Sequence, residues 1–255
     1  MSFLEKEKFE KNGCVILKTD FSHNENFKKI IKNIYSDLAI EIKNESIKKF
    51  SGYTMGNLNV YPGKYGHEIL DFISSQKQID EIEVILGSKI EDFSIKYGGN
   101  LSLPNKGAQL YHTDGKYNEK MILISIATEI IDENNGPTEV CLGSHKKNFK
   151  FWEFYFQKKI KKKLFLNLGD IAIRNHNCWH RGTKNFSEKP RLLLSLLLFP
   201  KIDENNREDS VSEKLKIAPN FFKSNKYGRF YEYIYVKFGF IIVFFKLLFS
   251  IIKNK

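Results

Sequence analysis

QLYHTDG, residues 109–115, and NCWHRGTKNFSEKPRLLLSLLLF, residues 177–199, are the stretches from which the fold is read. In the first, His112 and Asp114 stand two residues apart, and a β-strand projects residues i and i+2 to one face. Both side chains can therefore point at one ion. The second stretch brings His180 to the rim of another strand, and Arg191, eleven residues on, opens a long apolar run. Two imidazoles and one carboxylate on one side of a metal leave the opposite positions open, the facial arrangement of non-haem Fe(II) oxygenases. Two open positions would take the 2-oxo acid end of 2-oxoglutarate and the third O2. The far carboxylate of that cosubstrate needs a planar, permanently charged partner, and the guanidinium of Arg191 offers a forked pair of charge-assisted hydrogen bonds.

Four stretches in fixed order carry a wider resemblance: FEKNGCVIL (9–17), QLYHTDG, NGPTEVCLGSHKK (135–147) and LGDIAIRNHNCWHRGTKNFSEKPR (168–191). Together they resemble the phytanoyl-CoA dioxygenase family of Fe(II)/2-oxoglutarate-dependent oxygenases, from about residue 9 to about residue 200. A lone His-x-Asp is a weak signal, whereas the ordered set is specific. The family pattern has an Asn, a Ser and an Arg at fixed offsets after the distal histidine, matched here by Asn185, Ser187 and Arg191 after His180. The resemblance implies a double-stranded β-helix, a jelly-roll or cupin-like barrel, with iron at its mouth. It also implies His112, Asp114 and His180 as catalytic metal ligands, Arg191 as the 2-oxoglutarate-binding residue, and Fe(II), 2-oxoglutarate and O2 as cofactor and cosubstrates.

The chain departs from the family pattern at two places. Leu142 stands where a Pro usually precedes Gly-Ser-His, which affects a turn, and Gly182 stands where a hydroxylated residue often follows the distal histidine. Neither Gly182 nor Thr183 is assigned to the cosubstrate site. Asp114 is present, whereas halogenating relatives lose that carboxylate to make room for a halide, so hydroxylation or a related oxidation is favoured.

With 255 residues the chain can bury a sizeable core as one enzyme domain. Cys14, Cys141 and Cys178 are scattered, odd in number and without zinc-site or disulfide spacing. The polar opening MSFLEKEKFEKNG gives no signal segment. The expected location is a reducing cytoplasm, with the membrane surface as an alternative raised by the C-terminal end. Residues 14–18 read as a strand, Asn26 to Asn44 as an amphipathic helix and residues 77 to 86 as another. From Asp92 onward come short β-like runs: DFSIKY, AQLYHT, MILISIAT, TEVCL, LFLNL, DIAIRN and RLLLSLLLF. The fold expected is mainly β with flanking helices. The oxygenase domain is placed at 1–227, its barrel from about 92 to 200, with a hydrophobic basic segment at 228–255.

Other conspicuous residues receive plain readings. His23, His67 and His176 are assigned to surface or packing, although His176 lies near enough to His180 to rival it as third ligand. Only His180 has Asn, Ser and Arg at the right offsets. His145 is assigned a structural hydrogen bond, Trp179 a core position, and Gln109 is expected to face away from the ligand pair if strand alternation holds.

The net charge of +11 raises the question of an anionic partner. In KKNFKFWEFYFQKKIKKK, residues 146–163, aromatics alternate with lysines in a way that could stack bases. No nucleic-acid module accompanies the patch, so nucleic acid is not the expected partner. The run FGFIIVFFKLLFSII, residues 238–252, is shorter than the roughly 20 apolar residues of a spanning helix and carries Lys246. It admits a peripheral membrane contact, with Lys253 and Lys255 adding charge, and equally a helix covering the barrel or a dimer contact. The reading is thus a 2-oxoglutarate-dependent dioxygenase that hydroxylates a small-molecule or lipid-like substrate with release of succinate and CO2. The alternatives are a non-catalytic cupin-like metal or carbohydrate binding protein and a metal-dependent hydrolase, neither of which accounts for Arg191.

Overall fold

The computed structural model describes residues 2–45, 47–117, 120–158, 160–201 and 213–252. In chain order its helices and strands are α1 (Ser2–Asn12), β1 (Cys14–Leu17), α2 (Glu25–Asn44), β2 (Asn57–Tyr61), α3 (Lys64–Ser74), α4 (Gln78–Leu86), β3 (Phe93–Ser102), β4 (Ile122–Ala127), β5 (Thr138–Cys141), α5 (Phe151–Phe156), β6 (Lys161–Lys163), β7 (Ile171–Asn175), β8 (His180–Gly182), β9 (Arg191–Pro200), β10 (Lys216–Ala218), α6 (Lys226–Lys237) and α7 (Gly239–Ile252). The strands form two antiparallel sheets, β1-β7-β4-β9-β3-β2-β10 and β6-β5-β8.

The two-residue period of β9 shows how the large sheet is used. Leu192, Leu194, Leu196 and Leu198 bury themselves in the main core with Ile124, Ile126, Ile171 and Ile173 of the neighbouring strands. Helices α2 and α3 cover that core with Phe27, Ile34, Ile69 and Phe72. Each such side chain contributes about 1.5–3 kcal/mol by leaving water. The α2 stripe begins where Asn24 caps the helix, its side chain accepting from the amides of Asn26 and Phe27. On the other face of the same strands, Leu193, Ser195, Leu197, Leu123, Ser125, Ala172 and Arg174 line a cavity, closed on its far side by Thr138, His180 and Gly182 of the small sheet. The cavity therefore lies between the two sheets.

The expected helices at 26–44 and 77–86 correspond to α2 and α4, while α1, α3 and β2 had no counterpart in the sequence reading. Two expected strands are absent. AQLYHT forms no ladder beyond a single bridge at His112, and LFLNL pairs only through Leu166 with Ile131. The segment before His112 finds its partners elsewhere: Gly107 N–H donates to Thr54 O, Gln109 N–H to Gly182 O, and Leu110 N–H to the Tyr235 hydroxyl of α6.

The boundary expected at 227/228 falls inside α6, which is tied into the fold. Glu232 is buried and accepts the Met55 amide, and Val236 packs on Gly107 so closely that a Cβ there would lie 2.6 Å from it. Among the described residues no single helix is long and apolar enough to cross a membrane, and α6 and α7 meet at 94°. Lys253, Asn254 and Lys255 lie outside the described residues.

Candidate metal and cosubstrate site

The backbones of His112 and His180 face each other and exchange two hydrogen bonds, His112 N to His180 O at 3.0 Å and His180 N to His112 O at 2.9 Å. Residues opposed in this way project their side chains to one face, and the two imidazole centroids are 4.3 Å apart. Asp114 joins them from a bend, held by its amide on His176 O. The pairing across to β8, rather than alternation along a strand at 109–114, brings the three residues together. One ligand-type atom from each of His112, Asp114 and His180 lies within 4.8 Å of the others, a spacing that could hold a metal ion.

Protonation states favour a cation at that point. His112 Nδ1 lies 2.9 Å from Leu110 O, and His180 Nδ1 lies 3.0 Å from Cys178 O. Each imidazole that donates Nδ1–H to these carbonyls leaves the Nε2 lone pair directed at the site. Burial lowers the pKa of His112 and pushes that of His180 well below its ordinary value, so both rings are neutral at pH 7. Burial acts against ionisation of Asp114, but the Arg174 guanidinium, donating to its Oδ2 at 2.6 Å, outweighs it and holds the carboxyl well below the usual range.

His176 is turned away. Its ring nitrogens lie 2.8 Å from Met121 O and 3.1 Å from Lys116 O, which makes it a buried packing residue. His145 bonds to Glu10 O, and Trp179 stacks on Phe154 at 4.1 Å in a small aromatic core, as expected for both. Gln109 corrects the sequence reading: with no strand to enforce alternation it faces the cavity, buried, its Oε1 accepting from Gly182 N–H at 2.6 Å. A Cβ on Gly182 would lie 2.8 Å from Asn57 Oδ1 and 2.9 Å from Gln109 Oε1, so the glycine is required by this close approach.

Arg191 begins β9, is 1% exposed, and does not itself line the cavity. Its Nη2 donates to Gly136 O and its Nε to Asn135 O at 3.4 Å, while Nη1 is buried without a hydrogen-bond partner among the described residues. Burial lowers its pKa to about 10, which leaves the guanidinium charged at pH 7. A buried cation with a free donor is costly unless an anion completes it. Asn185 and Ser187 build the turn that delivers it, Ser187 donating to Asn185 Oδ1 and Asn185 to Lys189 O.

Sequence reasoning missed Arg174. Its guanidinium reaches the metal-type cluster, donating from Nη2 to Asp114 Oδ2 at 2.6 Å with Nη1 3.1 Å from His180 Nδ1. The available signal was the period of DIAIRN, which sets Ile171 and Ile173 on the core face and leaves a charge pointing the opposite way. The cavity of about 750 Å³ in front of these groups also has Phe221 at its wall, whose ring meets His112 edge-on at 4.9 Å.

Solved structures share this architecture. The epimerase SnoN, crystallised with Fe3+, alpha ketoglutarate and nogalamycin RO, is 14% identical, with a TM-score of 0.61 over 88% of this chain and 96% of that one. EvdO2 from Micromonospora carbonacea var. aurantiaca, complexed with 2-oxoglutarate, is 13% identical, with a TM-score of 0.57 over 78% of this chain and 91% of that one. EctD from S. alaskensis with bound Fe is 14% identical, with a TM-score of 0.58 over 78% and 77%. The fold is thus the double-stranded β-helix of 2-oxoglutarate-dependent oxygenases. Residues 84–193 match the family model of phytanoyl-CoA dioxygenase (PhyH), which bears out the resemblance carried by the motifs across the barrel. The opening FEKNGCVIL lies outside the matched stretch. No curated protein matches the sequence.

Proposed function

We propose that the protein is an Fe(II)- and 2-oxoglutarate-dependent dioxygenase in which His112, Asp114 and His180 hold the iron and Arg191 binds the distal carboxylate of the cosubstrate. The observation that carries this reading is the convergence of three ligand-type atoms within 4.8 Å at the wall of a cavity. The donor set is in the form a divalent cation takes, two neutral imidazoles and an ionised carboxylate. The unpartnered Nη1 of Arg191 fits an anionic group beyond the metal. Iron bound there supplies O2 activation coupled to decarboxylation of 2-oxoglutarate to succinate and CO2, with oxidation of a substrate C–H bond.

The protein's own part is orientation and exclusion of water. Leu110 and Cys178 carbonyls fix the two imidazole tautomers, and β8 holds His180 opposite His112. Leu123, Leu197 and Phe221 keep the cavity apolar near the reacting end, and the hydroxyls of Ser125 and Ser195, 3.1 Å apart, offer a polar point for orientation. A cavity of about 750 Å³ has room for a small-molecule substrate beside the cosubstrate. The apolar lining favours a lipid-like one.

A peripheral membrane contact through residues 238–252 is part of the proposal. None of the residues of α7 is buried, and Phe240, Phe244, Phe249, Ile251 and Ile252 are all more than half exposed. The enzymatic reading is tested by succinate release from 2-oxoglutarate in the presence of Fe(II) and a reductant. His112→Ala and His180→Ala abolish it, and His176→Asn retains metal binding. Activity that survives His180→Ala but not His176→Asn would overturn the assignment.

A further inference from the structure

Arg174 is a second buried cation, and it sits against the proposed metal ligands themselves. Its strand, β7, is paired on both sides, with Cys14 of β1 and Leu123 of β4 opposite it, so the residue is anchored inside the sheet rather than on its edge. The side chain is 9% exposed, and among the described residues its hydrogen-bond contacts are Asp114 Oδ2 and His180 Nδ1. With His180 Nδ1–H given to Cys178 O, the Arg174 Nη1 contact is a close approach of two donors, set against the bond from Nη2 to Asp114.

The charges of this cluster decide what it can accept. Two neutral imidazoles, one carboxylate and one guanidinium are neutral together. A divalent cation alone leaves the cluster with two positive charges in a poorly solvated cavity, where like charges repel more strongly than in water. A dianion that joins it lowers that excess, its far carboxylate meeting the further charge of Arg191. If position 174 were neutral, the metal alone would meet less repulsion and the dianion less attraction.

We infer that Arg174 couples metal loading to cosubstrate binding: by neutralising Asp114 it makes the site hold a divalent cation poorly by itself and well together with a dicarboxylate. The inference rests on the proposed metal and cosubstrate site. It assigns to Arg174 a positioning and charge-setting role through Asp114, with no contact to substrate required. Coupling of this kind is reciprocal, so the factor by which 2-oxoglutarate tightens metal binding equals the factor by which metal tightens 2-oxoglutarate binding.

The experiment is calorimetric titration of metal-stripped, full-length protein with Co(II), with and without saturating 2-oxoglutarate, in wild type, Arg174→Met and Arg174→Lys. Comparing the ratio of the two Co(II) affinities cancels any loss of geometry common to both. In Arg174→Met the enhancement by 2-oxoglutarate is expected to fall by about tenfold, within the usual range of such couplings, and Co(II) alone is expected to bind more tightly. Arg174→Lys, which keeps the charge, should keep most of the enhancement. Arg174→Gln, which retains a donor to Asp114 but drops the charge, gives the same comparison if the Met variant does not fold. An enhancement equal in wild type and Arg174→Met, or absent from wild type, overturns the inference. Co(II) binding that survives His180→Ala would instead sink the metal-site reading on which it rests.

Discussion

His112 and His180 commit one ring nitrogen each to a carbonyl two residues back, and Arg191 commits two of its nitrogens to the turn at Asn135 and Gly136. What remains free is Nε2 on each imidazole and the buried Nη1 of Arg191. Arg191→Lys keeps the charge but cannot span both carbonyls and still offer a donor, since an ammonium lacks the planar fork. The dissociation constant for 2-oxoglutarate, measured with Co(II) in place of iron, should rise at least about tenfold, a loss in the range of one charge-assisted bond. An unchanged constant in a folded Arg191→Lys variant would move the distal carboxylate elsewhere. Residues in the ordered motif were legible because their chemistry dictates type and offset together. Arg174 and Gln109 were not, because each acts through a neighbour that only the paired strands and the irregular segment 107–111 bring near.

At the level of elements, the strong periodicities were readable and the weak ones were overruled by partners far along the chain. The leucines of β9 and the stripe of α2 each bury a continuous face, and the pattern alone specifies such elements. AQLYHT has a strand-like composition, yet its amides at Gln109 and Leu110 bond to Gly182 and Tyr235, which lie far from it in sequence. That last bond links the C-terminal helices to the site: Tyr235 accepts the Leu110 amide at 2.7 Å, and Leu110 O receives His112 Nδ1 at 2.9 Å. Tyr235→Phe leaves the Leu110 amide without its partner and should cost about 1–3 kcal/mol of stability. Because the unsatisfied amide neighbours the carbonyl that orients His112, Co(II) affinity should fall as well. A variant with a lower melting temperature and unaltered Co(II) affinity would show that α6 supports the fold without orienting the ligand.

On the scale of the whole molecule, the site is enclosed on its sheet faces, while helix α7 presents an apolar surface in which, among the described residues, none is buried. Helix α7 packs beside α5, where Tyr155 and Phe156 are also exposed, so the apolar area is shared between the two. Lys246 is an exposed residue of this surface whose ammonium stands 5.4 Å from the Phe151 ring of α5, and partial burial lowers its pKa. Further exposed lysines stand at the margins, such as Lys150 and Lys237 at the ends of α5 and α6. An apolar face rimmed by cations on a chain of net charge +11 fits an anionic bilayer better than bulk water. Because α6 is tied to Met55 and Leu110 whereas α7 buries none of its residues, the informative truncation ends at Lys237 rather than ahead of α6. The shortened chain should fold, bind Co(II) as the full chain does, and lose binding to vesicles of phosphatidylcholine and phosphatidylserine. Full-length binding should weaken as salt shortens the Debye length from about 10 Å at 0.1 M toward about 3 Å at 1 M. Full-length protein that ignores these vesicles at low salt, while forming a dimer that the truncation abolishes, would assign the apolar face to a second copy of the chain.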